Sequence, residues 1–209
     1  VPLRRKGVWS ERSVLWRFSA PIFVSSCILI TGEWFCEAML ARRPEGYVQM
    51  GLYLAAAQWA NAIEFLQNTL GSPAMSLMSN LYWTSDVRRF RKLCLVNLTL
   101  VSGAAAGVAA ALAVLAPWII GVYGEDFESA VAVLRLVCLM AAVRAISRST
   151  SGVLYAVNRV RVEWMCSMVR ISLQLLLFYL LIDRGAVGLV LAMSGAFVVQ
   201  LFLLSLIHI

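Results

Sequence analysis

Six ionisable side chains lie inside long apolar stretches of this 209-residue chain: Glu33, Glu37, Glu64, Arg144, Arg148 and Arg170. A charge near the centre of a membrane helix costs about 2.5–3.5 kcal/mol, so six of them facing lipid would exceed what a bundle tolerates. Most must face inward or snorkel to an interface. Guanidinium forks bind phosphate oxygens in pairs, which makes Arg144 and Arg148 candidates for an anionic head group. Arg144 is too deep to snorkel easily, whereas Arg148 and Arg170 lie closer to an interface. Glu33 and Glu64 are candidates for coupling to protons or sodium. The competing structural reading is that Glu33 or Glu64 neutralises Arg144 or Arg148 as buried glue.

Spacing supports an inward face. Gln58, Asn61, Glu64 and Asn68 recur at three, three and four residues, which stacks them on one side of a helix. Arg144, Ser147, Arg148, Ser151 and Tyr155 make a second stripe, and Glu33 and Glu37, with Ser26 on much the same side, a third. The economical arrangement turns all three stripes towards a shared, water-accessible cavity near mid-membrane. There Gln58, Asn61, Asn68, Ser151 and Tyr155 are candidates for hydrogen bonding to a polar ligand.

Other chemistry has little to work with. The single histidine is His208, so no Ser-His-Asp or metal-histidine constellation is predicted. Five cysteines, Cys27, Cys36, Cys94, Cys138 and Cys166, are scattered singly without CxxC spacing and read as small hydrophobes in helix packing. No catalytic residue, metal site or cofactor is expected.

The elements that must position these residues follow from composition. At 61% hydrophobic and 14% charged, the chain has too much apolar surface for the interior of a soluble domain of its size. A bilayer is the expected solvent. A helix needs about 20 apolar residues to cross roughly 30 Å of hydrocarbon, which divides the chain into six helices: Phe18–Leu40, Gly51–Leu70, Leu93–Ile119, Ala130–Ala156, Trp164–Ile182, and Ala186 to the C-terminus. Membrane strands are excluded by run length and by the lack of period-two alternation. Residues 1–17 read as a basic cytoplasmic linker, 18–203 as a six-helix all-α membrane bundle, and 204–209 as a non-native tail that resembles translated sequencing-adaptor DNA. The chain reads as a fragment.

Net charge is +7, and the basic residues sit in short gaps between apolar runs, which argues against nucleic acid as a partner. Eleven Lys and Arg (Arg4, Arg5, Lys6, Arg12, Arg17; Arg88, Arg89, Arg91, Lys92; Arg159, Arg161) fall on one side and three (Arg42, Arg43, Arg184) on the other. The positive-inside rule then places both termini in the cytoplasm. Gly103 and Gly107 form a GxxxG, expected to pack tightly within the bundle, and Pro21, Pro73 and Pro117 read as helix-end punctuation.

Four soft patterns in this order resemble the C-terminal half of bacterial oligosaccharide flippases, the polysaccharide-biosynthesis membrane proteins grouped with lipid II flippases and multidrug and toxin extruders. They are Gly51-Leu52-Tyr53-Leu54-Ala55-Ala56-Ala57-Gln58; the turn Ser72-Pro73-Ala74-Met75-Ser76; the acidic loop Tyr123-Gly124-Glu125-Asp126-Phe127 with Ala130, Val133, Leu134 and Arg135; and Asp183-Arg184-Gly185-Ala186-Val187-Gly188 before the last helix. Arg170 and Ser172 depart from the Asn that such proteins often place early in the fifth helix. The resemblance implies one half of a two-bundle, MATE-like transporter of the bacterial plasma membrane, a missing N-terminal six-helix half, and a lipid-linked oligosaccharide as substrate. The alternatives weighed against it are a multidrug or cation extruder of the same superfamily, which the two cavity arginines disfavour, and a membrane glycosyltransferase, which the short loops disfavour.

Overall fold

Apolar runs too long for strands, with every backbone hydrogen bond to be met inside the segment, leave helix as the local solution. The computed structural model describes residues 20–124 and 127–208, which form six α-helices and a 3-10 turn, with no strand among the described residues. They are α1 Ala20–Ala41, α2 Gly46–Trp83, α3 Val87–Gly121, α4 Ala130–Ala156, α5 Val160–Leu181 and α6 Gly185–His208. The basic stretch 1–17, with Arg4, Arg5, Lys6, Arg12 and Arg17, lies outside the described residues, as do Glu125 and Asp126 of the acidic loop. Four stretches are long and apolar enough to cross a membrane: Ile22–Ala41, Val87–Gly121, Ala130–Ala156 and Val160–Leu206, the last embracing both α5 and α6. Large apolar side chains such as Trp34, Val114, Trp118 and Leu180 are two-thirds exposed or more, on a surface that only lipid would cover. The chain is a multi-pass membrane protein.

Two helices are longer than their apolar patterns predict. Pro73 was expected to close the second helix near Leu70, yet α2, 38 residues long, continues through it to Trp83. Proline removes one backbone donor, a loss that neighbouring groups can absorb in a membrane bundle, so the turn reading of Ser72-Pro73-Ala74-Met75-Ser76 is corrected. Likewise Arg88, Arg89, Arg91 and Lys92 occupy the first turns of α3 instead of a gap, and Pro117 lies inside that helix. The connection shrinks to Thr84, Ser85 and Asp86, with Ser85 at φ 60° and the Asp86 carboxylate accepting the Arg89 N–H at 3.1 Å. At 1.5 Å per residue, α2 and α3 run about 50–57 Å, enough to extend past a hydrocarbon slab of roughly 30 Å.

The core forms around α4, which packs against α2, α3 and α6. Its Leu134, Val137, Cys138 and Ala141 meet Ala56, Ala60 and Ile63 of α2, Ala105 and Ala109 of α3, and Leu189 and Val190 of α6. Alanines on α2 and α3 let backbones approach closely. The GxxxG expectation is corrected here: the buried seam of α3 runs Val101, Ala105, Ala109, and Gly103 and Gly107 lie two residues, about 200°, round the helix with open space beside them. Three of the five cysteines, Cys36, Cys138 and Cys166, are buried in helix packing.

Two contacts align the far end of the bundle. Gly185 takes φ +59°, where an added Cβ would strike the Gln49 side chain, and Gln49 Oε1 accepts the Ala186 N–H at 3.0 Å, so the start of α2 holds the start of α6. Arg43, just after α1, pairs with Asp183 in the 3-10 turn Ile182–Arg184. Leu204, the first residue of the terminal hexapeptide, is buried with Leu154 and Cys166, and α6 continues through His208.

Candidate functional site

Between α1, α4, α5 and α6 the bundle opens into a polar cavity of about 450 Å³. The helical period builds its walls: α4 contributes Arg144, Ser147, Arg148, Ser151 and Tyr155, the stripe expected from spacing, and α1 contributes Ser26 and Glu33. From α5 come Glu163, Ser167 and Arg170, and from α6 Phe197 and Gln200.

Charge at this site is organised in three groups. Glu64 reaches in from α2 and is shared: Oε1 lies 3.0 Å from Arg144 Nη1 and Oε2 3.2 Å from Arg148 Nη1. One carboxylate facing two guanidiniums leaves a surplus positive charge on this wall. On α5 Arg170, only 5% exposed, places both terminal nitrogens 3.4 Å from Glu33 Oε1 and donates to Gln174 Oε1 at 3.0 Å. Glu163 makes no ion pair among the described residues; it accepts from Tyr155 Oη and Ser167 Oγ, both at 2.7 Å, and Gln200 Nε2 donates to Ser167 Oγ at 3.2 Å. The guanidinium carbons of Arg170 and Arg144 lie 4.6 and 5.6 Å from the Phe197 ring centroid, both within cation–π range of one ring.

Arg144 is therefore paired with a carboxylate and at the same time borders a hollow. The glue reading and the cavity reading both describe part of it. Its Nε is buried and has no hydrogen-bond partner. Arg148 is the more accessible of the two, with 39% of its side chain exposed. A planar guanidinium held on one edge by Glu64 has further N–H donors left over.

The structure does not bring every expected residue here. Gln58, Asn61 and Asn68 are exposed and do not line this cavity. They sit on the side of α2 about 110–170° round from the packed Ala56–Ala60–Ile63 face, and of that stripe only Glu64 reaches α4. The snorkelling expectation for Arg170 is corrected, because its head group turns inward to Glu33 and Gln174. Spacing reasoning also missed Glu163, Ser167 and Gln174. With Arg170 they recur at four, three and four residues along α5, a stripe as regular as that of α4, but a helix begun at Trp164 excludes its first member. Phe197 and Gln200, three apart on a very apolar α6, gave a weaker signal.

The comparisons with known proteins are sparse. Over 152 residues the chain is 27% identical to the EPS I polysaccharide export inner membrane protein EpsE of Ralstonia nicotianae, a match covering 68% of this chain and 34% of that protein. The chain thus spans about a third of the length of that relative. No family model matches the chain, and no solved structure matches it.

Proposed function

We propose that the chain is part of a bacterial inner-membrane transporter that flips a polyprenyl-pyrophosphate-linked oligosaccharide between leaflets for surface polysaccharide biosynthesis. The observation that carries this reading is the pair Arg144 and Arg148, held by a single carboxylate at the edge of a polar cavity inside a membrane bundle. A pyrophosphate offers oxygens to both guanidiniums and meets the charge that Glu64 leaves over. The similarity to a polysaccharide export protein of the inner membrane supports the same substrate class. No bond is made or broken, so the protein acts by binding and exposure alone and not as an enzyme.

In this reading all six helices span the bilayer, and the basic N-terminal stretch, the α2–α3 turn and the α4–α5 turn face the cytoplasm, as does the C-terminus. The six-helix bundle is one lobe of a MATE-like pair, opposed by an N-terminal lobe, and access alternates by rocking of one lobe on the other. The exposed polar stripe Gln58, Asn61 and Asn68 then faces the space between lobes, where sugar hydroxyls pass, with Ser151 and Tyr155 lining the cavity. Glu64 and Glu33 are the groups assigned to ion coupling, since an anion arriving at the arginines competes with them.

In proteoliposomes holding the full-length protein, Arg144→Ala should abolish translocation of a fluorescent polyprenyl-pyrophosphate oligosaccharide while folded protein is still recovered. Translocation at the wild-type rate would overturn the assignment.

A further inference from the structure

A second, larger cavity of about 900 Å³ lies outside the bundle, against the α2–α3 hairpin. Its walls are apolar: Trp83 and Phe90 at the hairpin, Leu95 and Leu98 along α3, and Val153 across on α4, with Arg91 at the rim. Arg88 and Lys92 do not line the groove but share one side of α3 with Arg91 by helical spacing; all three are exposed, and among the described residues none has a carboxylate partner, whereas Arg89 pairs with Asp86 at 3.3 Å. Trp83 is 67% exposed and stacks edge-on with Tyr82, the amphipathic aromatic pairing that marks the head-group level. Leu95 and Leu98 lie one to two turns deeper than Arg91, about 6–10 Å along the helix, which is acyl-chain depth when the arginines stand among phosphates.

We propose that this groove is a binding site for an anionic phospholipid of the leaflet that the α2–α3 turn reaches: the phosphate among Arg88, Arg91 and Lys92, one acyl chain laid along Leu95 and Leu98. Charge complementarity selects this occupant. A zwitterionic lipid brings its own cation to three unmatched cations, and an apolar peptide segment would leave them unmatched. The volume falls within the range of about 300–1,000 Å³ typical of small-molecule sites. The floor of the groove includes Ser149 and Thr150, so α4 shows the lipid one face and the Arg144–Arg148 cavity another, and Asn97 Nδ2 of α3 donates to Ser149 Oγ at 3.0 Å, tying α3 to α4 there.

Native mass spectrometry of the full chain, released from nanodiscs of mixed phosphatidylglycerol and phosphatidylcholine, tests this directly. The wild type should retain phosphatidylglycerol in preference to phosphatidylcholine. Arg91→Gln and Lys92→Gln should each lower that retention by about fivefold. Leu98→Trp, which fills the groove and leaves the charges in place, should expel lipid of either head group. Circular dichroism identifies any variant that fails to fold, and Arg88→Gln, on the same exposed turn, then replaces it. Equal retention of the two lipids by the wild type overturns the proposal. So does unaltered retention in Arg91→Gln and Leu98→Trp, retention of inorganic phosphate as strong as that of lipid, or a polypeptide cross-linked at Cys94 in place of lipid.

Discussion

Charge is handled in opposite ways at the two cavities. Around the inner one, between α1, α4, α5 and α6, every arginine meets a carboxylate: Arg144 and Arg148 share Glu64, and Arg170 meets Glu33. At the α2–α3 hairpin, Arg88, Arg91 and Lys92 stand exposed with no acidic partner among the described residues. Dielectric explains the contrast. At 4 Å a charge pair is worth about 1 kcal/mol in water and about 4 kcal/mol at an effective constant of 20, so pairing dominates inside the bundle and matters little at its rim. A guanidinium among helices must be answered by protein or by substrate. One near head groups can be answered by lipid.

The sharpest way to break this contrast is to remove the shared acid. Glu64→Ala strands two cations together, and the loss of stability should reach about 3–5 kcal/mol, read from thermal unfolding in detergent. A shift no larger than that of a hairpin arginine variant would show the inner wall to be as wet as the rim. The Arg170–Glu33 pair sharpens the point. Arg170→Met and Glu33→Gln should each destabilise the protein, and the double variant should recover about 0.5–3 kcal/mol of the summed loss, the coupling a double-mutant cycle measures. Strict additivity would mean that the 3.4 Å approach contributes nothing. Phe197→Leu keeps an apolar side chain but removes the ring beneath both guanidiniums, for an expected cost of about 1–2 kcal/mol in the same assay. Smallest of all, Arg88→Ala at the hairpin should change stability by less than about 0.5 kcal/mol while shifting lipid retention, because its charge acts on the head groups and not on the fold.

The two regions also differ in how far they could be read in advance. Arg144, Ser147, Arg148, Ser151 and Tyr155 follow the helical period on α4, and all five line the inner cavity. On α5 the same period runs through Glu163, Ser167, Arg170 and Gln174, but only a helix starting at Val160 includes the first of them. The stripe on α2 was regular and still misleading, since Gln58, Asn61 and Asn68 lie on a face that this bundle leaves exposed. Periodicity says which residues share a side of a helix; it says nothing of which neighbour that side meets. The hairpin groove was hidden for another reason. Its walls come from the end of α2 and the start of α3, and ending the second helix at Leu70 removed the last thirteen residues of α2 before they could be placed.

What the chain settled by itself was its solvent and its secondary structure. Apolar content beyond what an interior can hold, in runs about as long as a bilayer is thick, leaves a backbone no way to satisfy its hydrogen bonds except within each helix, and that is a local matter. Which carboxylate answers which guanidinium was decided only by packing: Glu64 meets Arg148 across 84 positions and Glu33 meets Arg170 across 137. Those pairings depend on the rotation of each helix about its axis, and rotation is set by how neighbouring helices seat on one another, the alanines of α2 and α3 against α4 and Gly32 of α1 against Ile171 of α5, a property of surfaces in contact that no single segment carries.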